Sequence, residues 1–158
     1  MNNDKLKILR DQLVSAIGGG ESHITFEKVV KDFPPAARGQ KPQGAPHSAW
    51  ELVEHMRIAQ RDILGFARDA NHQSPAFPDG YWPKTEAPPS DDAWQKSVSA
   101  FEQDAKELAQ LIRNSDLFTP FPHGDGQILL REAILVANHN SYELGQLVFL
   151  KRMLVDKT

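Results

Sequence analysis

The stretch Ala133-Ile-Leu-Val-Ala-Asn-His-Asn-Ser-Tyr-Glu-Leu-Gly-Gln-Leu-Val-Phe-Leu150 decides how the rest of the chain is read. It lies inside the longest uninterrupted helical run, residues 128–155. Residues 133–137 and 147–150 are apolar almost all round a helix, which marks a buried helix rather than a surface one. Into this run the sequence sets His139 and Glu143, one turn apart. At i and i+4 the two side chains share a face with Cβ atoms about 6 Å apart, and Gln146 continues the stripe. A polar stripe inside a buried helix must be hydrogen-bonded, paired or coordinated, because burial without a partner costs several kcal/mol.

What such a helix packs against is read by working outward. Residues 4–17 carry Leu6, Leu9, Leu13, Ala16 and Ile17 at helical spacing, with Asp4 as the expected N-cap and Gly18-Gly-Gly20 as the stop. A shorter helix follows, capped by Thr25, with Phe26, Val29, Val30 and Phe33 on its apolar face and Pro34-Pro35 ending it. Residues 34–46 read as an ordered connection. The second long helix spans residues 48–68, with Trp50, Leu52, Val53, Met56, Ala59, Ile63 and Phe66 toward the core. His55, flanked one turn either way by Leu52 and Ala59, sits on or beside that face. Residues 69–90 hold five prolines and no period, so they form a long crossover loop. Phe77, Tyr81 and Trp82 are expected to anchor this loop over an end of the bundle. Ser90 caps a third helix whose Trp94, Val98, Phe101, Ala105, Leu108, Leu111 and Ile112 repeat every three to four residues. No run alternates with period two long enough for a strand. The chain reads as a single all-α domain over residues 1–158, a four-helix bundle with extra short helices and one long crossover.

Composition narrows the function classes. The 158 residues carry 18 basic and 21 acidic side chains, a formal charge of −3 with both signs interspersed. No basic field invites nucleic acid or an anionic membrane surface. The absence of cysteine excludes disulfides, thiolate metal sites and a cysteine nucleophile, and fits a reducing compartment. No apolar run approaches the ~18–20 residues of a membrane span, and the first residues lack the apolar stretch of a signal peptide. A cytoplasmic protein is expected.

Three groups can meet inside the bundle: His55 from the second long helix, and His139 with Glu143 from the last. Bundles build metal sites in this way, from side chains on facing helices. Two imidazoles and one carboxylate suit Zn²⁺, Ni²⁺, Fe²⁺ or Mn²⁺ and leave positions open for water or substrate. The same groups also suit a His–Glu hydrogen bond without metal. Asn138, Asn140 and Gln146 are placed to orient the ligands or to fill polar gaps between helices. His47 near a helix start, and His23, His72 and His123 in loops, are expected at the surface. Arg57, Arg61 and Asp62 read as a solvated, ion-paired face. No nucleophilic triad is evident, and the glycine triplet lacks the Lys-Ser/Thr of a phosphate loop.

Three blocks together carry a family likeness: His47-Ser-Ala-Trp-Glu-Leu-Val-Glu-His-Met-Arg-Ile-Ala-Gln60, Pro78-Asp-Gly-Tyr-Trp-Pro83, and residues 131–146. In these, over roughly residues 4–155, the chain resembles the DinB/YfiT-like family. The resemblance implies an atypical four-helix bundle with a long crossover, commonly a homodimer, holding a divalent metal on three histidines. Members with known activity include thiol-dependent S-transferases and isomerases that use bacillithiol, mycothiol or glutathione. The first ligand maps to His55 and the second to His139, whereas the third histidine is replaced here by Glu143. A carboxylate ligand would lower the charge of the site by one and leave a weaker Lewis acid. The departure also fits a site that has lost its metal and pairs Glu143 with a protonated His139 or His55. The expectation is a metal-binding bundle enzyme with thiol-transfer or hydrolytic chemistry on His55, His139 and Glu143. Tyr142, Gln146 and Asn138 would surround the ligands, and a low-molecular-weight thiol or other small molecule would be the partner. Val148, Phe149 and Met153 are candidates to face a second subunit. The competing expectation is a non-catalytic bundle that serves dimerisation or small-molecule binding.

Overall fold

Helices begin in this chain where a short polar side chain can accept from a free backbone N–H. In the computed structural model, which describes residues 2–155, there are five α-helices. They are α1 (Asn3–Gly18), α2 (Phe26–Val30), α3 (Ala49–Arg68), α4 (Asp91–Asn114) and α5 (Leu129–Leu154), with 3₁₀ turns at Pro35–Ala37 and Asp79–Tyr81. Among the described residues there is no strand, only an isolated antiparallel bridge between Pro120 and Ile128. The chain is all-α, as the periodicity requires.

Asn2, not Asp4, caps α1: its Oδ1 accepts from the Lys5 N–H at 3.0 Å, which starts the helix earlier and leaves Asp4 in the favourable first turn. Gly19 adopts φ 66° and ends it. Ser48 and Glu51 form a capping box on α3, and Ser90 Oγ accepts from the Ala93 N–H to start α4. Ile128 offers α5 no side-chain cap; the Leu130 N–H is taken instead by the Leu117 carbonyl at 3.0 Å.

The core divides into two apolar clusters. One joins α2, the first halves of α3 and α4, and the last part of α5, around Phe33, Leu52, Met56, Trp94 and Leu147. The other joins α1, the ends of α3 and α4, and the start of α5, around Leu64, Leu108, Ile112, Leu117 and Leu129. Because both starts meet in one cluster and both ends in the other, α3 and α4 run parallel, with α5 antiparallel to them. A parallel pair needs a connection that travels the length of the bundle, which explains residues 69–90. Between the clusters lies a layer of polar side chains that includes Gln60, Asn140 and Glu143, all buried.

The crossover is fixed where it returns. Ser48 Oγ donates to the Glu86 carbonyl at 2.5 Å, and Lys41 pairs with both Glu51 and Glu86. A Cβ on Gly39 would lie 2.4 Å from the Ala87 Cβ, so only glycine lets the two segments cross. Two expectations are corrected. Phe77 is 89% exposed on the crossover, with its ring edge-on to Tyr81, so it does not anchor the loop to the core. The last helix is not buried all round either: Ile134, Leu135, Tyr142 and Phe149 are exposed, because α1, α2, α3 and α4 cover only part of its circumference. Among the described residues, no helix is long and apolar enough to cross a membrane.

Candidate metal centre

His55 lies midway along α3, and His139 and Glu143 lie one turn apart on α5, so antiparallel packing brings them face to face. His55 Nε2 is 3.0 Å from His139 Nε2 and 3.8 Å from Glu143 Oε1. One ligand atom from each of the three residues lies within 4.8 Å of the others. Gln146 Nε2 donates to Glu143 Oε2 at 2.7 Å and holds the carboxylate in place. Asn138 and Tyr142, by contrast, point outward and make no hydrogen bond to the cluster among the described residues.

The crossover, expected over an end of the bundle, instead lies across His55 at mid-bundle. The Tyr81 carbonyl is 2.9 Å from His55 Nδ1, and a carbonyl can only accept, so Nδ1 carries the ring proton. The Tyr81 hydroxyl donates to Asp62 Oδ2 at 2.6 Å, and His72 Nε2 lies 2.7 Å from Asp62 Oδ1. Asp62 is therefore an anchor for the crossover rather than part of a solvated face, and His72 is drawn in from the surface. Burial, then the Asp62 hydrogen bond, pushes the Tyr81 phenol up to about 12. Trp82 stacks on His55 at 3.9 Å and 3°, and also on His47 at 3.9 Å and 16°. His47 is half-buried by this contact, where the sequence suggested an exposed ring. His23 and His123 are exposed, as expected of their loops.

The residues fit a divalent cation on three counts. Two nitrogens sharing a metal at about 2.1 Å lie about 3.0–3.4 Å apart, which the imidazole pair meets. Burial raises the Glu143 carboxyl above its ordinary range, with His55 opposing in part. Burial, then the neighbouring His55, lowers His139 below the ordinary histidine range, against the Asn140 side chain. Both shifts favour neutral groups in a pocket of low polarity; a cation would restore the carboxylate and use the imidazole lone pairs.

The third count is a buried polar atom left without a partner beside the cluster. Gln60 must turn its amide nitrogen to the Phe101 carbonyl, at 2.7 Å, so its Oε1 faces Asn140 Nδ2, at 2.8 Å. Asn140 Oδ1 is thereby fixed on the other side, buried and without a hydrogen-bond partner. Asn140 follows His139 directly in α5, and its side chain opposes the lowering of that imidazole. Without metal, the proton shared between the two Nε2 atoms must come from His139, because His55 holds its own on Nδ1. His139 Nδ1 then carries no proton. With both imidazoles holding a cation, the His139 proton would sit on Nδ1 instead.

The class defined so far is a helical bundle with a two-histidine, one-carboxylate cluster between its facing helices. The family model of the DinB superfamily matches residues 22–146, most of the chain and all three cluster residues. The chain belongs to the DinB superfamily. Neither the curated proteins nor the solved structures include a significant match to it.

Reasoning from sequence missed Asp62, His47 and Gln60, and favoured loop anchoring for Trp82 without tying it to His55. Gln60 had a usable signal, since an uncharged amide two turns from an apolar helix end needs a partner. Asp62 had none, because its partners arrive from the crossover.

Proposed function

We propose that this chain binds one divalent transition metal on His55, His139 and Glu143 and uses it for hydrolytic or thiol-transfer chemistry. The convergence of two Nε2 atoms and one carboxylate oxygen within 4.8 Å between facing helices carries this reading. Zn²⁺, Ni²⁺, Fe²⁺ and Mn²⁺ all accept such a donor set. When bound, a metal of this kind supplies a Lewis acid that lowers the pKa of a coordinated water or thiol. The protein supplies the rest. The Tyr81 carbonyl keeps the His55 proton on Nδ1, so Nε2 stays free as a donor. Gln146 orients Glu143. Trp82 covers His55 and limits the approach of bulk water. The cysteine-free composition supports a cytoplasmic protein, and the exposed Ile134 and Leu135 support a homodimer formed through the first half of α5.

One observation favours a second reading, a non-catalytic bundle with a degenerate site. The His55–His139 contact and the Gln146–Glu143 bond satisfy much of the cluster without any cation. Metal content of untagged, chelator-free protein, measured by plasma mass spectrometry beside His139→Ala and Glu143→Ala, decides between them. About one equivalent in the wild type, lost in both variants, is expected. Loss only with His139→Ala would take Glu143 out of the ligand set. No metal after reconstitution with Zn²⁺, Ni²⁺ and Mn²⁺ would sink the metalloprotein reading and leave the second one.

A further inference from the structure

A cleft of about 550 Å³ lies beside the cluster, between residues 43–47 and the last third of α5. Its walls include Leu52, Phe149, Leu150 and Met153, and its polar side chains include His47 and Gln146. One of these polar groups touches the cluster directly and the other through Trp82. Gln146 donates to Glu143, and His47 stacks on the same Trp82 that stacks on His55. The helix geometry explains the join: Tyr142, Gln146, Phe149 and Met153, spaced four, three and four, form a stripe that borders the His139–Glu143 stripe. The cleft thus borders the cluster along α5, next to Glu143 through Gln146 and to His55 through Trp82.

No aspartate, glutamate, lysine or arginine lines it among the described residues. A charged ligand body would lose hydration there with no counter-charge to replace it. Gln146 has committed its Nε2 to Glu143, which leaves Oε1 as an acceptor; the His47 ring makes no hydrogen bond among the described residues. We propose that this cleft admits the substrate of the metal centre and selects an uncharged, largely apolar body with one N–H or O–H group near Gln146 and His47. The selection disfavours a thiol whose bulk carries free carboxylates, and points to a neutral amide or alcohol as the molecule acted on. This rests on the metal reading for its chemistry but not for its binding, so the two fail separately.

The test uses three probes of one shape: 4-phenylbutanamide, 4-phenylbutanoate and 4-phenylbutylammonium. Their affinities are measured by NMR titration of metal-free wild-type protein. The amide is expected to bind at least tenfold tighter than either ion, shifting the Gln146 and His47 side-chain signals. Met153→Lys, half-exposed in the last turn where a cation suits the helix end, is expected to narrow or invert the amide-to-carboxylate ratio. In protein loaded with Mn²⁺, the amide end of the bound probe is expected to relax faster than the phenyl end. Equal affinity for the three probes overturns the proposal, as do shifts confined to other surfaces or a cleft closed to all probes by a second copy of the chain. Amide binding that survives His139→Ala while no metal binds would keep the cleft and sink the metal centre. Metal binding without amide binding would do the reverse.

Discussion

Replacing Asn140 with leucine separates the stability of the bundle from the affinity of the cluster. In metal-free protein the change removes a buried acceptor that has no partner, a gain of about 1–3 kcal/mol. It also strips Gln60 Oε1 of its donor, a loss of about 1–3 kcal/mol. These offset each other, and the similar shape of leucine avoids a cavity, so the metal-free Tm should move little. With metal the balance differs. At a hundredfold excess over Kd, the wild type gains about 2.7 kcal/mol. Loss of a group that orients a ligand weakens metal affinity about 10–100-fold. At the same metal concentration the variant then gains only about 0.4–1.4 kcal/mol. At about 2–4 °C per kcal/mol for a chain of this size, the metal-induced rise is about 5–11 °C for wild type and about 1–6 °C for Asn140→Leu. Circular-dichroism melts with and without Zn²⁺, at a free concentration set by competition titration, read both quantities. Equal rises in the two proteins would refute the claim that Asn140 supports the metal site.

Tyr81→Phe removes the hydroxyl bond to Asp62 and should destabilise the protein by about 1.5–3 kcal/mol in urea melts. Because the Tyr81 pKa is raised to about 12, its contribution is full below the ordinary phenol value of about 10 and fades as pH rises through 12. A difference that persists undiminished above that range would be the contrary result. At Glu54, burial would raise the carboxyl, but the bonds from Arg57 and Ser97 hold it below the usual range. Glu54→Gln should therefore melt lower than wild type near neutral pH, and the gap should close as pH falls through the depressed pKa. A gap that widens in acid would count against those bonds. Leu108→Ala, in the cluster around α1, should cost about 2–5 kcal/mol and leave metal stoichiometry unchanged.

The bundle was legible because its helices obey local rules. The apolar spacing of α3 and α4, the caps at Thr25, Ser48 and Ser90, and the breaks at Gly18-Gly-Gly20 and Pro34-Pro35 all act within a few residues. The facing of His55 toward His139 and Glu143 follows once those helices pack antiparallel. What the sequence hid is what the crossover brings in from afar. Tyr81 and Trp82 reach His55 from 26 and 27 positions away with no period to follow, and Asp62 shows its purpose only when they arrive. The exposure of Ile134 and Leu135 was missed for a related reason. Hydropathy reports what a helix would like covered, not how many neighbours the fold provides.

The polar layer between the two apolar clusters has a mechanical consequence for the bundle. Leucine against leucine tolerates a helix sliding by part of a turn, since one methyl replaces another. The sequence Asn140 to Gln60 to Phe101 carbonyl does not: a shift of α5 along α3 leaves each donor facing the wrong atom, inside a dry interior. This layer therefore works as a detent that locks α5, α3 and α4 at one longitudinal setting. It lies beside His55 and His139, so the same catch that sets the bundle in register also sets the spacing of the two imidazoles.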